Sequence, residues 1–140
     1  AADMLRGACD GKEDRARCLK LHADIVARLE DHDAELDEVL TNYLAASCAE
    51  PKVCAEAHAF IASLRTRKNQ PRHALESLRR AAREDPTAAR WLLVADHAER
   101  LGAAAVALEA LEKVRVASGP DPELDARIAR ARSATNRLER

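Results

Sequence analysis

The chain has 140 residues, enough for one domain with a sizeable core; 47% are hydrophobic, much of that alanine, and 2% are aromatic. Its 23 basic and 24 acidic residues leave a formal net charge of −1, so no global field draws nucleic acid or an anionic membrane. No apolar run approaches the ~18 residues of a membrane-spanning helix, and no stretch alternates β-branched residues between turn signals, which predicts an all-α protein built on Ala, Leu, Arg and Glu.

Residues 1–11, with Gly7, Asp10 and Gly11, read as an N-terminal arm tied down through Cys9. A helical pattern starts at Lys12, with Cys18, Leu21, Ile25 and Leu29 on one stripe at spacings of three and four. The charged run Glu30-Asp31-His32-Asp33 interrupts it. A second stripe, Leu36, Val39, Leu40, Tyr43 and Leu44, ends near Cys48. The third helix spans about Lys52 to Lys68 through Val53, Ala57, Phe60, Ile61 and Leu64. Asn69-Gln70-Pro71 reads as a helix stop followed by a start, with Asn closing one helix and Pro opening the next. The fourth helix runs to Glu84 through Ala74, Leu75, Leu78 and Ala81-Ala82. Thr87 is placed to cap the fifth, which carries Trp91, Leu92, Val94, Ala95 and Ala98 and stops at Gly102. The sixth, about Ala103 to Ala117, holds Val106, Ala107, Leu108, Leu111 and Val114. After the turn Ser118-Gly119-Pro120-Asp121-Pro122, a last helix shows a narrow stripe of Leu124, Ile128, Ala131 and Leu138 among arginines.

Pro51, Pro86 and Pro120 recur at spacings of 35 and 34 residues, each between one Ala-rich helical stretch and the next. Repetition at that period is the mark of stacked helical hairpins. It divides a single domain, 1–140, into a divergent first hairpin (12–53), a second (55–86), a third (88–119) and a capping helix (121–140). An up-and-down bundle shares the same apolar periodicity and is the competing architecture.

The four cysteines, Cys9, Cys18, Cys48 and Cys54, lack the tight C-x2–4-C pairs of structural zinc sites. They allow three pairings, of which the sequence-local one is Cys9–Cys18 with Cys48–Cys54. An even count at local spacing points to an oxidising compartment, periplasmic or secreted. The chain opens on Ala1-Ala2-Asp3 without Met, a start that fits signal removal or an arbitrary boundary equally. The alternative is four reduced thiols packed as small hydrophobes in a cytoplasmic protein.

The hairpin resembles the tetratricopeptide repeat. The best match is Ala55–Pro86, where Ala62, Ala74 and Ala81 stand at the family's small positions, Leu78 at a large one and Pro86 at the end. The next unit has Trp91 at the family's Trp position, then Ala95, Gly102, Ala107, Leu111 and Val114. The first unit fits least: Ala27, Tyr43, Ala46 and Pro51 match, but Val39 replaces a small residue. All three units carry Ala (Ala27, Ala62, Ala95) where the family has Gly. The resemblance implies a short right-handed α-solenoid of about three antiparallel hairpins plus the capping helix. It implies a non-enzymatic protein–protein interaction module whose concave groove takes a peptide or partner protein. Groove positions fall on Asp24, Ile25, Arg28 and Asp31; on Ala59, Phe60, Ser63 and Arg67; and on Leu92, Leu93, Asp96 and Arg100. Of these, Arg28, Phe60, Ser63, Arg67, Leu92, Asp96 and Arg100 are the candidate partner contacts, some equally suited to packing. The Lys and Asn clamp for a chaperone C-terminal carboxylate is missing, since Asp24, Arg28, Ala59, Ser63, Leu92 and Asp96 stand there. An Hsp70/Hsp90 adaptor is therefore not expected.

No catalytic or cofactor motif is present: there is no H-E-x-x-H, Cys-x-x-Cys, phosphate-cradling Gly loop or G-x-S-x-G turn. The five histidines, His22, His32, His58, His73 and His97, form no tight ligand cluster. His58 follows Cys54 by four residues and shares its helical face. That makes a thiol-based redox or metal-binding regulator of Cys48, Cys54 and His58 the alternative function. The C-terminal arginines, Arg127, Arg130, Arg132 and Arg137, interleave with Glu123, Asp125 and Glu139 and lack aromatic stacking partners, so they read as a solvated cap rather than a nucleic-acid surface.

Overall fold

A computed structural model describes Cys9 and residues 14–138. The arm residues Gly7, Asp10 and Gly11, the helix start at Lys12 and the acidic Glu139 lie outside the described residues. Among the described residues seven helices follow one another: α1 Arg15–Ala27, α2 Asp33–Ser47, α3 Pro51–Arg67, α4 Pro71–Glu84, α5 Ala88–Leu101, α6 Ala104–Ser118 and α7 Pro122–Leu138. No strand occurs among the described residues. Each helix packs chiefly on its neighbours in the chain.

Local chemistry sets most of the boundaries. Pro51 and Pro71 open α3 and α4, where a missing N–H costs no hydrogen bond and φ is already helical. Asn69 closes α3 in the left-handed region (φ 57°), its N–H donating to the Thr66 carbonyl at 3.0 Å and the Gln70 N–H to that of Arg65 at 2.8 Å. Gly102 does the same for α5 at φ 71°, with Ala103 N–H reaching the Ala98 carbonyl at 2.9 Å. The Thr87 hydroxyl accepts from Arg90 N–H at 3.1 Å, and Asp121 Oδ1 accepts from Glu123 N–H at 2.9 Å at the head of α7. Acidic Asp33 and Glu35 occupy the first turn of α2, where the helix dipole favours negative charge.

Two apolar clusters form the core. One joins α1, α2 and the inner face of α3, with Leu19, Ala23, Val26, Leu36, Leu40 and Leu64 among its members. The other runs from Ala62 of α3 through α4 to α7 and includes Leu78, Trp91, Val94, Leu111 and Ile128. The predicted stripes of α2 and α6 lie in these clusters, and those of α4 and α5 are buried except Leu92, which is exposed at 37%; Val53 of the α3 stripe is likewise exposed, at 42%. That of α1 is corrected: Leu21 and Ile25 are 62% and 43% exposed, and Leu19, His22, Ala23 and Val26 turn inward instead. Both stripes have helical spacing. The inward one prevails because Ala23 at its middle lets α1 close on α2. Leu138, read as part of the α7 stripe, is also exposed at 77%.

Both cysteine pairs are disulfides, Cys9–Cys18 and Cys48–Cys54, with Cα atoms 5.6 and 4.2 Å apart. The first ties Cys9 to α1. The second bridges the end of α2 and the first turn of α3.

Candidate interaction face

Exposed apolar side chains are unevenly shared among the helices. Leu21 and Ile25 on α1, Val53 on α3, Leu92 and Leu93 on α5 and Leu138 on α7 are exposed; among the described residues, Val116 on α6 is the sole large exposed apolar side chain of an even-numbered helix. The predicted contacts lie on α1, α3 and α5, or directly at their ends.

On α1 and α3 the structure brings three of the groove positions together. Asp24 accepts from Arg28 at 3.0 Å and from Arg67, 43 residues on, at 2.9 Å. The Arg67 hydrogen bond, with Arg28 adding its charge, holds the Asp24 carboxyl below its ordinary value of 3.8 against the opposing effect of burial. The two arginines thus share one acid that pins α1 to α3. Phe60 is half-buried: its ring meets Tyr43 edge-on with centroids 5.7 Å apart, and the Lys20 ammonium sits 4.8 Å from its centroid. Ser63 is exposed, and its hydroxyl donates to the Phe60 carbonyl at 2.7 Å.

On α5, Asp96 receives Arg127 of α7 at 2.8 Å, and Glu99 binds the same guanidinium, with Arg127 Nε 3.3 Å from Glu99 Oε2. Those contacts, Glu99's first, raise the Arg127 pKa, with burial opposing. Leu92 and Arg127 border a cleft of about 420 Å³ with Pro120, Asp121 and Leu124. Arg100 is exposed, and no ion pair involving it is found among the described residues. So Arg28, Arg67 and Asp96 are held in intramolecular pairs, while Leu92, Leu93, Ser63 and Arg100 face outward.

Sequence reasoning missed one buried polar pair. His22 Nε2 lies 3.7 Å from Glu35 Oε1, the two side chains 8% and 11% exposed, and neither atom has a hydrogen-bond partner. The available signal was the inward Leu19–Val26 stripe, which places His22 between Leu19 and Val26 on the face toward α2. The predicted Cys54/His58 neighbourhood is present: the imidazole is buried beside the Cys48–Cys54 disulfide. Burial pushes the His58 pKa down, Arg80 adds to the effect, and Glu84 opposes it. Burial also pushes that of Tyr43 up, against the Ser47 hydrogen bond.

No family model and no curated protein matches the sequence. Among solved structures, the crystal structure of MamA protein matches with a TM-score of 0.56 at 15% sequence identity, over 97% of this chain and 72% of that one. At that identity the likeness is one of fold. Together with the sequential packing of the seven helices among the described residues, it fits a tetratricopeptide-like helical repeat.

Proposed function

We propose that this chain is a non-enzymatic interaction module, a short right-handed solenoid of three hairpins and a capping helix whose odd-numbered helices line a groove for a peptide or partner protein. The observation that carries the reading is the sorting of exposed apolar side chains onto α1, α3, α5 and α7. Stacked hairpins place alternate helices on one surface, so such sorting concentrates apolar contact area on one side. Leu92 and Leu93 serve as anchors, and Arg100, for which no ion pair is found among the described residues, as the cation that selects by charge. Arg28, Arg67 and Asp96 shape the groove through their ion pairs. The fold shared with MamA protein supports a scaffold, and the two disulfides support an extracytoplasmic assembly. No described helix is long and apolar enough to cross a membrane.

The test places a photo-crosslinking residue at Leu93 or at Val116 in the full chain and identifies what each captures. A single protein or peptide captured from Leu93 and absent from Val116 is the expected result. Its affinity for the purified chain should then fall at least about tenfold in Leu93→Arg, the loss of one anchor. Equal capture from both positions, or an affinity unchanged in Leu93→Arg, would overturn the groove.

A further inference from the structure

Three soft-metal donors meet at the junction of α2 and α3. Cys48 follows the last turn of α2, Cys54 ends the first turn of α3, and His58 stands one turn further on the same face. Their ligand atoms all lie within 4.8 Å of one another. In the structure the two sulfurs are joined, so the imidazole sits beside a disulfide rather than two thiols.

Accessibility distinguishes this disulfide from the other one. Cys48 is exposed and Cys54 buried at 3%, whereas in the other pair Cys9 is 4% exposed and Cys18 half-buried, so only Cys48 among the four is exposed. Thiol–disulfide exchange requires in-line approach to a sulfur, so a reductant reaches the Cys48–Cys54 bond first. The chain around Cys48 also suits a change of state. Cys54 and His58 are fixed on α3, and Cys48 lies in the short turn before Pro51, which can move outward once the bond is cut.

We propose that Cys48, Cys54 and His58 form a redox-gated site for a thiophilic divalent cation of the zinc class, closed as the disulfide and opened by a dithiol reductant. In the opening step the dithiol gives two electrons and two protons to the Cys48–Cys54 bond and becomes a disulfide itself. In the binding step both new thiols release their protons to solvent, each thiolate donates a lone pair to the cation, and His58 donates its own. Two thiolates and a dication make a neutral complex. A half-buried site accepts such a complex without a further counter-ion. Three protein donors leave a tetrahedral cation one open position. His58 also lines a cleft of about 280 Å³ between α2, α3 and α4. The proposal rests on no part of the groove reading and stands or falls separately from it.

The test uses the full chain carrying Cys9→Ser/Cys18→Ser, so that one cysteine pair remains. It is reduced under inert gas, freed of reductant and titrated with Co²⁺ as a spectroscopic stand-in for Zn²⁺. One equivalent should bind, with a thiolate-to-cobalt charge-transfer band and tetrahedral ligand-field bands, both displaced by Zn²⁺. The oxidised chain should show neither. His58→Ala should weaken binding at least about tenfold, with circular dichroism confirming that the helices remain. X-ray absorption of the zinc-loaded parent chain provides the readout that does not depend on that variant folding. Two sulfurs and an imidazole nitrogen around the metal support the site. No band from the reduced chain, equal affinity in a folded His58→Ala chain, or a first shell without imidazole would each overturn it.

Discussion

Between α4 and α7 the core cluster is apolar, with Trp91 its largest member, beside the Nε of Arg79, which is buried without a hydrogen-bond partner; two of the four helices, α5 and α7, begin on side-chain caps, Thr87 and Asp121. Between α1 and α3 the interior holds His22 against Glu35 with no hydrogen bond between them, and α1, α2 and α3 begin without a side-chain cap. Both disulfides fall in this second region. The contrast teaches how a helical stack is stabilised unevenly. Where small and large apolar residues interlock, packing suffices. Where the interior takes in a polar pair and the helix starts are bare, the cross-links add to the packing, because a capped helix start is worth about 1 kcal/mol and each short disulfide roughly 2–3 kcal/mol; ion pairs occur in both regions.

The strongest way to test the packed region is to hollow it. Trp91→Ala removes a side chain 5% exposed and should cost about 3–5 kcal/mol in urea unfolding followed by circular dichroism. A loss below about 1 kcal/mol would mean that the site is loosely packed and that the contrast between the two regions is false.

Reduction tests the other region. Opening both disulfides should lower stability by roughly 2–3 kcal/mol for each loop. The loss should be local: amide hydrogen exchange should accelerate across α1 to α3 and leave α5 to α7 protected. Uniform acceleration would show that the two clusters unfold as one unit and that the cross-links serve the whole stack.

The packed region was the more legible in sequence. Asn69, Pro71, Thr87, Gly102 and Pro120 act through backbone preferences that depend on near neighbours alone, so the boundaries from the start of α4 to the start of α7 fall within one residue of their predicted places. The alanines there have one face to occupy. In α1 two apolar stripes compete at equal spacing, and only the approach of α2 decides between them; the exposure of Ile25 agrees with its groove position and not with the Leu21 stripe. The ion pairs were hidden for a related reason. Asp24 and Arg67 are separated by 43 residues, and the sequence is rich in unrelated acids and arginines that could have paired instead. Cys48–Cys54 and its neighbour His58 could be read because all three fall within eleven residues of chain.

The smallest expected effect comes from the Asp24 clasp, and it separates charge from packing as the tie between α1 and α3. Its pKa is depressed, so the unfolded chain takes up the proton more readily than the folded one. The clasp therefore contributes fully above the ordinary carboxyl value of 3.8 and is lost as pH falls through the lowered one. Asp24 is 29% exposed and Arg67 53%, so solvent screening limits the tie to about 0.2–1 kcal/mol. Asp24→Asn should lose that amount at neutral pH, lose less at high salt, and match the parent chain once Asp24 itself is protonated. On α5 and α7 the same joint is built in reverse, one guanidinium held by two acids, with Arg127 only 18% exposed. Deeper burial leaves that pair less screened, so added salt should soften the Asp24 clasp before it touches the Arg127 one. If the Asp24→Asn deficit persists unchanged in acid, α1 is held to α3 by the shape of its inward face, with the carboxylate a passenger on a contact that Ala23 and Val26 already make.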